Sequence, residues 1–214
     1  MSDLAIDTFP PERFGLVTGS RCTPLVPSGE AKSGMITLGK ELAKEKYFRT
    51  YDEISTWQMD HGKMAEMDAF QYYMDHYDSN IKKGEFGFDG DVGWSPDAEH
   101  ETEDYGIDWK APTTLTNFLS YLTDGISTAE YNQCQLYMMG RNKDRWLIAS
   151  FLIETQKMNE NGLTYPVPFN KRMILTEVKR DWYWQEKFKK NLPFVVYERE
   201  KYVEMYKLKF DKNV

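Results

Sequence analysis

The 214-residue sequence predicts one domain of mixed α and β structure, α/β or α+β. Three observations support this. Segments with helical spacing of apolar residues are interspersed with short runs rich in aliphatic and aromatic residues. No internal repeat, low-complexity tract or long Pro/Gly-rich linker divides the chain, so residues 1–214 are read as a single unit. A chain of this length buries roughly two-thirds of its unfolded surface without needing a disulfide or structural metal.

The elements follow in order. MSDLAIDTFPPERFG lacks a basic start followed by an apolar run, and no stretch approaches the roughly 18 apolar residues of a membrane span, so a cytoplasmic protein away from the membrane is expected. Residues 23–39, TPLVPSGEAKSGMITLG, hold two prolines and three glycines and read as an irregular surface loop. From about Trp57 to Tyr77 a helix is predicted, with Gly62, Glu66, Ala69, Tyr73 and Tyr77 close to one face. Glu66 is then an acid on a mostly apolar face, and an unpaired buried carboxylate is costly. FGFDGDVGWSPD, the acidic stretch AEHETEDYG and IDWKAP read together as a β-hairpin. Leu115, Phe118, Leu119 and Leu122 have amphipathic helical spacing. Ser127 and Glu130 form a capping-box pattern opening a further helix that Gly140 can end. RWLIASFLI (145–153) and KRMILTEV (171–178) read as strands joined by the turn-rich NENGLTYPVP. The aromatic-rich C-terminal portion reads as one or two helices.

Composition restricts the chemistry. Cys22 and Cys134 lie far apart, which excludes zinc ribbons and iron–sulfur sites and favours a reducing compartment. The formal charge of −7 argues against a nucleic-acid partner on average. The average hides an asymmetry: nine acids and no Lys or Arg from Glu85 to Asp108, against twelve Lys and Arg with seven acids from Lys171 to Val214. The basic tail is either a polyanion surface or a solvated helix face. His61, His76 and His100 lack metal-ligand spacing, and no phosphate-binding glycine motif occurs.

The informative residues are Asp97 in SPD and Asp108 and Lys110 in IDWKAP. On a strand Asp108 and Lys110 share a face and Trp109 points to the opposite layer; a closing hairpin adds Asp97. Two carboxylates and the Trp109 carbonyl make an oxygen site for a hard cation such as Mg²⁺. A lysine beside it can hold or deprotonate an attacking water and offset charge on a phosphate, which is the chemistry of phosphodiester hydrolysis.

Four segments resemble, in register, the lambda-exonuclease or YqaJ-type viral recombinase branch of the PD-(D/E)xK nucleases. RFGLVTGSR (13–21) is similar to R-x-G-x-(I/V)-T-(A/G)-S, and HGKMAEMDAF (61–70) to G-x-x-x-E-x-x-A. SPDAEHETEDYGIDWKAP (95–112) resembles SPDG followed by ExKxP, and YNQCQLYM (131–138) the YxxQ-x-Q helix. The match spans about Arg13 to Met139, roughly 60% of the chain.

The resemblance implies a restriction-endonuclease-like α/β fold, a central mixed sheet flanked by helices. It implies a Mg²⁺-dependent deoxyribonuclease, with Mn²⁺ able to substitute, acting as a 5′-to-3′ exonuclease on double-stranded DNA. Asp97, Asp108 and the Trp109 carbonyl would hold the metal with Glu66 alongside. Lys110 would be the catalytic lysine, with Gln133, or Gln135 in the alternative register, beside it. Arg13 and Ser20 would bind a DNA phosphate, in an exonuclease the terminal 5′ phosphate. A homo-oligomer, specifically a homotrimeric ring, and a single-strand annealing partner are also implied.

Three departures stand out. Ala98 replaces the glycine after Pro-Asp, Asp108 replaces the commoner Glu, and TTLTNFL after Pro112 lacks the Arg with which lambda-type members grip the phosphate. A structure-specific endonuclease and a non-catalytic DNA-binding or interaction module on the same fold are the alternatives.

Overall fold

The computed structural model describes residues 10–29, 32–50, 57–153 and 167–211, with the backbone alone for 57–60. Its elements are α1 (Ser33–Phe48), α2 (Trp57–His76), β1 (Ile81–Lys83), β2 (Gly87–Asp89), β3 (Val92–Trp94), β4 (Ala98–His100) and β5 (Tyr105–Lys110). They continue with α3 (Leu115–Thr123), α4 (Thr128–Arg141), β6 (Arg145–Phe151), β7 (Met173–Lys179) and α5 (Trp182–Phe210). Most of the turn-rich segment after β6 lies outside the described residues.

Five strands form one mixed sheet in the order β1-β4-β5-β6-β7, and β2 and β3 form a separate hairpin. Within the five-stranded sheet, among the described residues, only β5 and β6 pair in parallel. A parallel pair needs a long crossover, which α3 and α4 supply. The single hairpin expected between residues 86 and 112 is therefore two. β2–β3 closes on itself, and the acidic stretch between the two expected arms contributes β4 to the main sheet.

The sheet is covered on both faces, as expected. On one, Ile107, Trp109, Ala149 and Phe151 pack against Ala65, Ala69, Tyr72 and Tyr73 of α2. On the other, Trp146, Ile148 and Val178 meet Leu136 and Met138 of α4 and Trp184 and Phe188 of α5. Each fully buried side chain of this size contributes on the order of 2–3 kcal/mol. The α2 face is shifted relative to the expectation: Ala65, Ala69, Tyr72 and Tyr73 are buried while Tyr77 is half exposed.

Capping agrees with the sequence at α4, where Ser127 and Glu130 make both capping-box bonds. The helix nevertheless runs through Gly140, and Asn142 takes the left-handed position that ends it. The C-terminal portion is one helix that continues through Pro193.

The largest correction concerns residues 23–39, expected as an irregular loop. The chain turns through a short 3-10 segment at Thr23–Leu25 and then enters α1, which buries Met35, Leu38, Leu42 and Ala43. Gly39, read as a loop signal, is a packing device. A Cβ there would lie 2.7 Å from Glu198 Cβ and 3.2 Å from the Arg199 backbone nitrogen. At an exposed helix site Gly→Ala gains about 1 kcal/mol, whereas overpacking costs about 1–3 kcal/mol. Gly39→Ala is therefore expected to lower the urea midpoint, a net loss that a matched substitution at the open Gly62 does not reproduce.

Candidate active site

The register of one strand pair assembles the carboxylates. Ala98 pairs with Ile107 across antiparallel β4 and β5. One step further, the same register lays Asp97 across from Asp108. Asp97 Oδ2 accepts a 2.7 Å hydrogen bond from the Trp109 backbone N–H, which fixes the side chain at the end of β5. Ala98 fits because it is the first residue of β4, buried and extended. Among the described residues, the non-glycines with positive φ are Arg49 and Asn142.

Alternation on β5 does the rest. Asp108 and Lys110 project from the same face, and Lys110 Nζ lies 2.5 Å from Asp108 Oδ2. That oxygen is buried and has no well-directed hydrogen bond. Trp109 points to the other layer, edge-on to Phe70 and Tyr73. Burial, reinforced by the Asp108 charge, pushes the Asp97 carboxyl well above its usual range. Burial lowers the Lys110 ammonium, but Asp108 and then Asp97 and Glu130 outweigh it, and the net direction is up.

Glu66 reaches the same place from α2. It lines a cavity of about 140 Å³ together with Gly62, Asp97, Trp109 and Lys110. Its position explains an acid on the inward side of the helix, and its charge adds to that bearing on Asp97. His61, one turn earlier, is buried against the carbonyl of Pro112. Burial lowers its pKa, opposed by that hydrogen bond, so it ties α2 to the segment leaving β5.

The donor set fits a hard divalent cation. It is all oxygen, and it contains two buried carboxylates close enough that the Asp108 charge bears on Asp97. Asp78, His100 and Glu103 also bring ligand-type atoms within 4.8 Å of one another, at the opposite end of β5. There the imidazole is already committed. Nδ1 accepts from the Thr102 and Glu103 backbone N–H groups at 3.1 and 2.7 Å, so the proton sits on Nε2, facing Asp78 at 3.1 Å. This cluster locks the β4–β5 turn.

Of the two glutamines on α4, Gln133 belongs to the site. Its Oε1 accepts from Lys110 Nζ at 3.1 Å and its Nε2 donates to the Tyr137 hydroxyl at 2.8 Å. Gln135 is fully buried and structural: it donates to the Lys179 carbonyl and accepts from the Asp181 N–H.

Arg13 and Ser20 share a second cavity of about 290 Å³, walled by Gln133, Tyr137, Phe86 and Trp94. Gly19 permits this closeness, since a Cβ there would come within 2.8 Å of the Tyr137 ring and 3.0 Å of Gln133 Cγ. The loop is held from behind. Glu45 of α1, buried, pairs with Arg21 at 2.5 Å and accepts from the Gly15 N–H at 3.4 Å. Arg199 of α5, also buried, donates to the Gly15 carbonyl at 2.7 Å and to Asp91 at 2.6 Å.

Sequence reasoning missed Tyr137, Glu45, Arg199 and Ser150, a residue with a buried hydroxyl whose backbone stands in register with Lys110 across β5 and β6. Tyr137 was findable, because it lies four residues after Gln133 on one helix face. Glu45 was hidden with α1, and nothing local marks Arg199.

No protein-family model and no curated protein matches the chain. Among solved structures it is similar to an alkaline exonuclease from Laribacter hongkongensis, with a TM-score of 0.74 and 17% identity over 95% of this chain and 97% of that one. The same exonuclease in complex with dAMP gives 0.73 and 20% over 95% and 97%. A phage-related exonuclease from Haemophilus somnus gives 0.75 and 17% over 89% and 96%. The likeness establishes a shared fold, the restriction-endonuclease-like α/β arrangement of a central mixed sheet flanked by helices.

The two glutamines are expected to separate by stability. Gln135→Ala leaves the part-buried Lys179 carbonyl and Asp181 N–H without their partner and costs about 1–3 kcal/mol in urea unfolding. Gln133→Ala, in a cavity wall open to solvent, costs measurably less.

Proposed function

We propose that this protein is a metal-dependent deoxyribonuclease acting as a 5′-to-3′ exonuclease on double-stranded DNA. The observation that carries the reading is the convergence, at the end of β5, of Asp97, Asp108, Lys110, Glu66 and Gln133, with the Arg13 and Ser20 cavity joined to them through Gln133. The names of the structural neighbours, an alkaline exonuclease and a phage-related exonuclease, support the same activity.

Asp97, Asp108 and the Trp109 carbonyl would hold Mg²⁺, with Glu66 beside them. When bound, the cation supplies Lewis-acid polarisation of a phosphoryl oxygen and a more acidic water. Lys110, held by Asp108 and Gln133, positions a water for attack and offsets negative charge that grows on the phosphate. Gln133 is fixed in turn by Tyr137, so its carbonyl oxygen faces the lysine. Arg13 and the Ser20 hydroxyl receive a terminal 5′ phosphate, placing the next phosphodiester toward Lys110. A homotrimer, a single-strand annealing partner and a cytoplasmic location belong to the same reading, and equilibrium sedimentation tests the first.

Linear duplex DNA with 5′ phosphates is expected to be degraded in Mg²⁺ and spared in EDTA, while closed circular DNA survives. Comparable cleavage of circles would instead establish an endonuclease. Lys110→Ala is expected to lower kcat by about 10²–10⁴-fold; full activity in that variant sinks the mechanism. Arg13→Ala is expected to reduce the preference for phosphorylated over hydroxyl 5′ ends by roughly 10- to 100-fold, the worth of charged hydrogen bonds to phosphate. An unchanged preference removes Arg13 from end recognition.

A further inference from the structure

A third cavity, of about 440 Å³, opens on Lys110 from the side of α3 and the α3–α4 connection. Its volume lies in the range of roughly 300–1,000 Å³ typical of small-molecule sites. Lys110 and Gln133 thus stand between two spaces: the Arg13 and Ser20 cavity on one side and this one on the other. We propose that the third cavity is a subsite for the nucleoside on the 3′ side of the scissile phosphate, recognising sugar and base through neutral hydrogen-bonding groups. This rests on the nuclease reading above, with the terminal phosphate at Arg13 and the scissile phosphate at Lys110.

The lining chemistry selects a nucleoside over a second phosphate. Among the described residues Lys110 is its one cationic lining residue, and it is already committed to Asp108 and Gln133. The wall opposite carries Glu130, whose two oxygens accept from the Tyr121 hydroxyl at 2.6 Å and the Ser127 N–H at 2.7 Å. That carboxylate is a fixed anion and repels phosphate. Asn117 is exposed on α3, and its side-chain amide makes no hydrogen bond among the described residues, so it offers both donor and acceptor to a base edge or sugar hydroxyl. The Ser120 hydroxyl donates to the Asn117 carbonyl at 2.8 Å and keeps its lone pairs. The half-buried Tyr121 adds ring surface for base or sugar.

The walls are also preorganised. Thr114 caps α3 at the Asn117 N–H, Phe118 anchors the helix on Leu152 and Ile174, and the capping box fixes the start of α4. A ligand entering here need not order the protein, which favours recognition by a few well-placed groups.

The test uses the full chain in Mg²⁺ with two substrates: a 5′-phosphorylated thymidine dinucleotide, and its analogue in which a methyl group replaces the 3′ nucleoside. The dinucleotide is expected to be hydrolysed with a higher kcat/KM. Asn117→Ala and Ser120→Ala are each expected to shrink that advantage by about tenfold, the size of one or two lost hydrogen bonds. The change should fall mainly in KM, with methyl-ester hydrolysis unchanged. Both variants alter side chains facing the cavity and keep the helix backbone and its cap. An advantage preserved in both variants, or a parent chain that handles the methyl ester as well as the dinucleotide, overturns the subsite. A parent chain that spares duplex DNA and both small substrates overturns the nuclease reading beneath it.

Discussion

The hydrogen bond from the Trp109 N–H to Asp97 Oδ2 is the constraint on which the candidate site depends. It joins the segment before β4 to the end of β5 and holds two carboxylates together where burial makes their mutual repulsion expensive. Everything else at the site compensates that cost. Lys110 sits against Asp108, Gln133 orients Lys110, and Tyr137 orients Gln133. Burial, with the Asp108 charge behind it, holds the Asp97 carboxyl raised, and a hard cation would relieve the repulsive part.

The second constraint is long-range. Arg13 and Ser20 lie on irregular backbone that has no sheet ladder to fix it. Their placement comes from two buried charges on different helices, Glu45 on α1 and Arg199 on α5, which bind the Gly15 N–H and carbonyl from opposite directions. Arg199 extends the same tie to Asp91 at the tip of the β2–β3 hairpin. The bridge between Val17 and Val92 adds backbone pairing at that junction. Phosphate-facing residues on a loop thus acquire the rigidity of the helical layer beneath them.

The charge asymmetry has a different meaning from the one composition suggested. Of the nine acids between Glu85 and Asp108, only Asp97 and Asp108 reach the site. Asp91 pairs with Arg199, Glu99 with Arg141 and Glu103 with Arg145, and Asp104 accepts from the Asp144 N–H. Four of the nine acids thus tie separate elements together. The basic C-terminal tail behaves similarly: Lys189, Lys201 and Lys207 pair three residues back along α5, the pattern of a solvated helix face. Charge counts along a sequence do not reveal the partners of those acids, because another element supplies them.

Local sequence determined what depends on short-range periodicity. Alternation on IDWK put Asp108 and Lys110 on one face, the capping box opened α4, and the spacing from Glu66 through Ala69 made α2. Those rules act within a few residues and survive any tertiary context. The tertiary structure alone decided three things. It turned Gly39 from a loop signal into a helix–helix contact, because α5 approaches closest there. It chose Gln133 over Gln135, because only one of two residues 200° apart on a helix can face β5. It recruited Arg199 to Gly15, 184 residues away, because a buried carbonyl needs a donor and chain distance places no limit on which element provides it.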